Sequence, residues 1–113
     1  MALLRISPLP DNALDAAAEF HARVLPDIDL ALRSLQDGEA HLTLVFAPAD
    51  HAHRGWRLAA VQELARRAAP LRVNALAGDS EPAIAATERY LAAAPGVTGQ
   101  YMPLDDKGAG PVL

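Results

Sequence analysis

Leu71-Arg72-Val73-Asn74-Ala75-Leu76 lies between an Ala/Arg-rich segment spanning 51–69 and a second Ala-rich segment at 81–94, and its reading decides the fold. An apolar run of strand length that follows one helix and precedes another belongs to a βαβ unit, and so to a parallel sheet. The alternation repeats at Gln100-Tyr101-Met102-Pro103-Leu104, a further short strand after Pro95-Gly96 has stopped the second helix. Working back from the first run, His41-Leu42-Thr43-Leu44-Val45-Phe46-Ala47 is nearly continuous in apolar and β-favouring residues. A strand covered on both faces needs that composition, so this one is expected to be central. Residues 2–6 form a short strand that ends at Ser7-Pro8-Leu9-Pro10, because proline cannot continue a ladder.

Caps and periodicity place the helices. Asn12 caps the first, with Asp15 in the opening turn, where the helix dipole favours a carboxylate. Leu14, Ala17, Ala18, Val24 and Leu25 form its apolar face, and Pro26 ends or kinks it. Asp27 restarts the helix, with Ile28, Ala31, Leu32 and Leu35 facing inward as far as Asp37-Gly38, where glycine suits a left-handed cap. Over 51–69, Trp56, Ala60, Val61, Leu64 and Ala68 recur at helical spacing, while Arg54, Arg57, Arg66 and Arg67 fall mainly elsewhere. Pro70 separates this helix from the next strand. Ser80 caps the helix over 81–94, whose Pro82 sits where first-turn amides lack partners anyway. Residues 105–113 read as a loose tail.

The 113 residues suffice for one modest core and not for two domains, so 1–113 is read as a single domain. Hydrophobic residues make up 51% with only 4% aromatic, which builds the core from Ala, Leu and Val. A formal charge of -4, with arginines interspersed among acids, excludes the basic face that nucleic acid requires. Without cysteine there is no disulfide framework and no thiolate zinc site. No apolar run reaches bilayer length, and Met1-Ala2-Leu3-Leu4-Arg5 meets Ser7-Pro8 before a signal-peptide core can form. A cytoplasmic location with no membrane partner is expected.

Ala69-Pro70-Leu71-Arg72-Val73-Asn74-Ala75-Leu76-Ala77-Gly78, followed by Tyr90-Leu91, Pro95-Gly96-Val97-Thr98-Gly99-Gln100 and Leu104-Asp105, closely resembles the C-terminal third of the short-chain dehydrogenases/reductases. Several words recur in order at compatible spacing, across residues 41–106. The resemblance implies an α/β fold: a three-layer parallel sheet of about four strands with helices on both faces, half of a Rossmann fold. Strands 2–6, 41–47, 71–77 and 100–104 would lie side by side in chain order, leaving 2–6 as an edge.

The family's chemistry does not carry over. Its nucleotide sits on a glycine-rich turn after the first strand, and the first glycine of this chain is Gly38. No cofactor is expected. Counting from Arg72-Val73-Asn74, the family's catalytic serine falls near Ala47, its tyrosine on Asp50 and its lysine on Arg54. General acid catalysis by that tyrosine is worth ~10²–10⁴ in rate, and neither a carboxylate nor a guanidinium at these positions replaces it. The loop between strand and helix is cut to Pro48-Ala49-Asp50. The resemblance thus implies a truncated, degenerate pseudoenzyme, with no catalytic residue.

Two functions are weighed. As an interaction module, the protein would use its open sheet edge, a template for another chain. A homodimer would form through that edge, with Leu4, or through the helices over 13–36 and 51–69 that pair between subunits in the family, with Phe20, Trp56, Ala60 and Leu64. A heteromer with a full-length dehydrogenase-like protein is the variant. Trp56 fits core burial and interface burial equally. As a small-ligand or nucleotide binder, it would use the C-terminal rim of the sheet, with Asp50, His53, Asp79 and Ser80. His41, His51 and His53 are read as surface residues rather than metal ligands, since His51 and His53, two apart at a helix start, point in different directions. Asp50 and Arg54 suit a surface ion pair, Arg66-Arg67 a solvated face, and Asn74 a hydrogen bond to a neighbouring loop.

Overall fold

Six residues, His41–Phe46, all buried, form the central strand β2 of a computed structural model that describes residues 2–35, 41–105 and 108–109. β1 (Ala2–Arg5), β2, β3 (Arg72–Ala77) and β4 (Tyr101–Asp105) run parallel and adjacent in chain order. The register aligns Leu4 with Leu44, Leu44 with Ala75, and Ala75 with Tyr101. A two-residue strand, β5 (Gly108–Ala109), turns back antiparallel on β4. The stretch read as a loose tail therefore contributes a strand and the last residue of β4; its positions 106–107 and 110–113 lie outside the described residues.

Helices cover both faces of the sheet. On one lie α1 (Ala13–Glu19), a π-helical turn (Phe20–Val24), α2 (Leu25–Arg33) and α3 (Arg54–Ala68). Their Phe20, Val24, Ile28, Val61 and Leu64 pack against Leu42, Leu44 and Phe46 of β2 and Val73, Ala75 and Ala77 of β3. On the other lies α4 (Glu81–Ala92), whose Ile84 meets Val45 and Leu76. Alternation along β2 and β3 sends successive side chains to opposite layers, which is why nearly every position of both strands is buried. Each large apolar side chain so buried contributes about 1.5–3 kcal/mol. None of the helices, among the described residues, is long and apolar enough to cross a membrane.

The first helical segment departs from expectation. Pro26 does not end it; the helical segment runs on without a gap through the π-helical turn into α2, with the proline in the first turn of α2. The departure from regular α-helix comes earlier, as the π-helical turn. Ala16, Phe20, Val24 and Ile28, four residues apart, are the buried set. At 3.6 residues per turn such a series drifts around the helix, and the wider π turn takes up the drift and keeps it facing the sheet. Leu14, expected on the apolar face, is instead 79% exposed. The cap assigned to Asp37-Gly38 lies outside the described residues.

The remaining caps form as the side chains dictate. Asn12 accepts from Asp15 N, and Ser80 accepts from Ala83 N. Asn74 donates from Nδ2 to Val97 O at 3.0 Å and accepts Gln100 N–H on Oδ1 at 3.0 Å, fastening the loop before β4 to β3. In that loop Gly99 takes a φ of +73°, a conformation that favours glycine, while its N–H donates to Val73 O.

Candidate functional site

In open parallel sheets the loops after the strands surround the place where ligands sit. Here the loops after β1 and β2, residues 6–11 and 46–50, enclose a cleft of about 540 Å³, closed on its inner side by His53 and Arg57.

Asp50 opens the helix that supplies both side chains. Its carboxylate accepts the Ala52 N–H at 3.1 Å and caps a 3₁₀ turn, His51–His53, that runs into α3. The carboxylate thus serves as a cap rather than in the expected ion pair with Arg54, which is exposed. His51 is exposed as expected, but His53 is only 5% exposed and His41 is 4% exposed, so two of the three presumed surface histidines are interior.

The hydrogen bonds of His53 define its state. The Trp56 indole, which can only donate, gives its Nε1–H to His53 Nδ1 at 3.2 Å. Nδ1 is therefore the acceptor, and the proton sits on Nε2, which donates to Asp11 O at 2.8 Å. Both ring nitrogens are occupied, and the imidazole acts as a strut between α3 and the loop after β1. It offers the cleft neither a free base nor a metal lone pair.

Arg57 is the residue that sequence reasoning placed wrongly. Counted among side chains off the apolar face, it is 4% exposed. It precedes Val61 by four residues and Leu64 by seven, and that spacing was the available signal. Its guanidinium lies 4.5 Å from the centroid of the Phe46 ring, a cation–π distance. Nη1 donates to Ala47 O and to the Tyr101 hydroxyl, each at 3.0 Å. Nε is buried without a hydrogen-bond partner, and among the described residues the side chain makes no ion pair.

The other rim residues sit apart from this cleft. Asp79 is exposed and Ser80 caps α4, both after β3, and neither lines it. Three of the side chains expected at an interface belong to the protomer's own core: Phe20 is 0% exposed, Leu64 1% and Ala60 7%. Trp56 is half-buried against Phe20 and Phe46, and Leu4 is half-buried over the same cluster. The first helical segment and α3 pack on the same face of β2 and β3, which leaves Phe20, Ala60 and Leu64 no outer face.

A second polar group lies under α4, where Glu88 meets Thr43 at 3.3 Å and His41 at 3.5 Å, all buried. Glu63, on the exposed side of α3, is held below the ordinary carboxylate range, first by the hydrogen bond from Arg66 and then by that residue's charge; it does not line the cleft. Arg66 and Arg67 are exposed, and Arg67 reaches Asp29 at 3.5 Å. Among the described residues no group of three or more His, Cys, Asp or Glu side chains is arranged to hold a metal ion.

A family model described as short chain dehydrogenase-like protein covers residues 4–104. No curated protein and no solved structure matches the chain.

Proposed function

The chain belongs to the short chain dehydrogenase-like family, and we propose that within it this protein is a noncatalytic interaction module, forming a homodimer through the edge of β1. The state of that strand carries the reading. Among the described residues β1 pairs with β2 alone, so its outer edge is open. Leu4 points to the core, so its neighbour Leu3 points to the opposite face, where it is 37% exposed. An open edge with an apolar side chain beside it is a template for another strand. Two copies related by a two-fold axis pair β1 with β1 antiparallel and continue the sheet across the interface.

The noncatalytic part rests on the three positions that align with the family's serine, tyrosine and lysine. Ala47 has no hydroxyl, Asp50 spends its carboxylate on a helix cap, and Arg54 stands in solvent. No proton relay can be assembled from them.

Light scattering on the purified chain tests the dimer. The wild type is expected at twice the protomer mass, and Leu3→Lys at the protomer mass with an unchanged far-UV spectrum. A wild-type monomer at tens of micromolar refutes the homodimer, and co-elution of that monomer with a full-length dehydrogenase-like protein would replace it by a heteromer. Titration with NADH and NADPH, followed by Trp56 fluorescence, is expected to show no saturation; micromolar binding overturns the cofactor-free reading.

A further inference from the structure

We infer that the cleft between the β1 and β2 loops binds a small zwitterionic carboxylate of the amino-acid type, its carboxylate held by Arg57 and its ammonium group facing Asp11 and Asp50. The inference stands apart from the dimer and rests on the charge layout of the cleft.

Arg57 sits at the inner end, 4% exposed, with Nε unpartnered and no carboxylate paired to it among the described residues. Taking a guanidinium out of water is costly, and the cost is offset only when a counter-charge and further hydrogen bonds are supplied. The Phe46 ring, the Ala47 carbonyl and the Tyr101 hydroxyl are all neutral, so they satisfy part of the donor set and none of the charge. A ligand carboxylate in the cleft that Arg57 lines supplies the missing counter-charge and a charge-assisted acceptor.

The mouth has the opposite sign. Asp11 and Asp50 line the cleft and are exposed, and neither is in an ion pair among the described residues. A buried cation at the inner end with two carboxylates at the opening matches a ligand that carries one charge of each sign a few bonds apart. A polyanion such as a nucleotide phosphate would meet repulsion at the opening before it reached Arg57. The volume, about 540 Å³, falls within the range of small-molecule sites. With both nitrogens of His53 engaged, the cleft is equipped to hold such a ligand rather than to transform it.

The test is a titration with L-alanine and with its two halves, propionate and ethylamine, at tens of millimolar, read by Trp56 fluorescence and calorimetry. Trp56 reports on the inner end, its ring being 5.8 Å from the Arg57 guanidinium. L-Alanine is expected to saturate, propionate to bind about fivefold more weakly for want of one partly exposed ion pair, and ethylamine not to bind. Arg57→Met is expected to abolish binding. Asp11→Asn, a change at an exposed side chain that leaves Asp50 in place, is expected to bring L-alanine part of the way down to the level of propionate, and keeps the test alive if the Arg57 variant fails to fold. Absence of saturation by L-alanine overturns the inference. So does equal binding of L-alanine and propionate, or full binding in Arg57→Met.

Discussion

Asn74→Ala removes the fastening between β3 and the segment that leads into β4. The carboxamide is fully buried. Its Nδ2 donates to Val97 O and its Oδ1 accepts from Gln100 N, both at 3.0 Å. Each bond contributes about 1 kcal/mol net, and a buried backbone group left unsatisfied costs about 1–3 kcal/mol. Gln100 is exposed and Val97 half-buried, so water can reach part of what is stranded. The expected loss is about 2–3 kcal/mol, from the two lost hydrogen bonds and the partly stranded Gln100 N–H; the Val97 carbonyl keeps a hydrogen bond from Arg72 Nη1 at 3.3 Å. For 113 residues, an unfolding entropy of about 2.1 cal/mol/K per residue turns that loss into a fall in Tm of roughly 10 °C. Asn74→Asp sharpens the test, because it keeps an acceptor for Gln100 N–H but sets a second oxygen against Val97 O. Aspartate is therefore expected to be less stable than alanine, although it preserves more of the side chain. Thermal and urea unfolding, followed by far-UV circular dichroism and Trp56 fluorescence, measures both variants. An alanine variant within about 1 kcal/mol of wild type, or an aspartate variant more stable than alanine, would falsify the reasoning.

Two further perturbations probe other links. His53→Ala is expected to cost about 2 kcal/mol by cutting the strut between Asp11 and Trp56, with a red shift of Trp56 emission; unchanged emission would show that the indole does not depend on the imidazole. Leu64→Ala, in a site 1% exposed, is expected to cost about 2–5 kcal/mol in a urea titration. By contrast Leu14→Ser, at a side chain 79% exposed, should stay within about 0.5 kcal/mol of wild type. Equal effects of the last two would contradict the π-turn account of which face is buried.

The strands and their parallel βαβ pairing were legible because each depends on a local pattern, while the chain-order arrangement and the three layers were what the family resemblance implied. His41–Phe46 and Arg72–Ala77 are apolar at nearly every position, and only a strand buried on both faces tolerates that. The Asn12, Asp50 and Ser80 side chains sit two or three residues from the amides they cap, so the first and third were predictable as caps from sequence distance alone. Asn74 was rightly read as tied to a loop, since a carboxamide inside a buried strand needs partners outside the ladder.

The cleft was legible only in part. Asp50 and His53 follow β2 and were placed on the rim, but Asp79 and Ser80 follow β3 and belong to a different loop, a separation that depends on how the loops fold back. Arg57 was missed because a charged residue is normally assigned to solvent. Its position four before Val61 spoke for the opposite face, and the Phe46 ring and Tyr101 hydroxyl that make burial tolerable come from strands 11 and 44 residues away in sequence.

Sequence by itself determined the elements and the parallel sheet, because hydrophobic period and capping chemistry act over a few residues, and the strand order followed from the family resemblance. Tertiary structure alone decided that Phe20, Ala60 and Leu64 are buried in the protomer's own core, that His53 is a strut with its proton on Nε2, and that Arg57 lies buried at the inner end of a cleft. The physical reason is common to all three. Burial, the tautomer of an imidazole and the solvation of a guanidinium are set by neighbours that the chain brings together only after the sheet has formed.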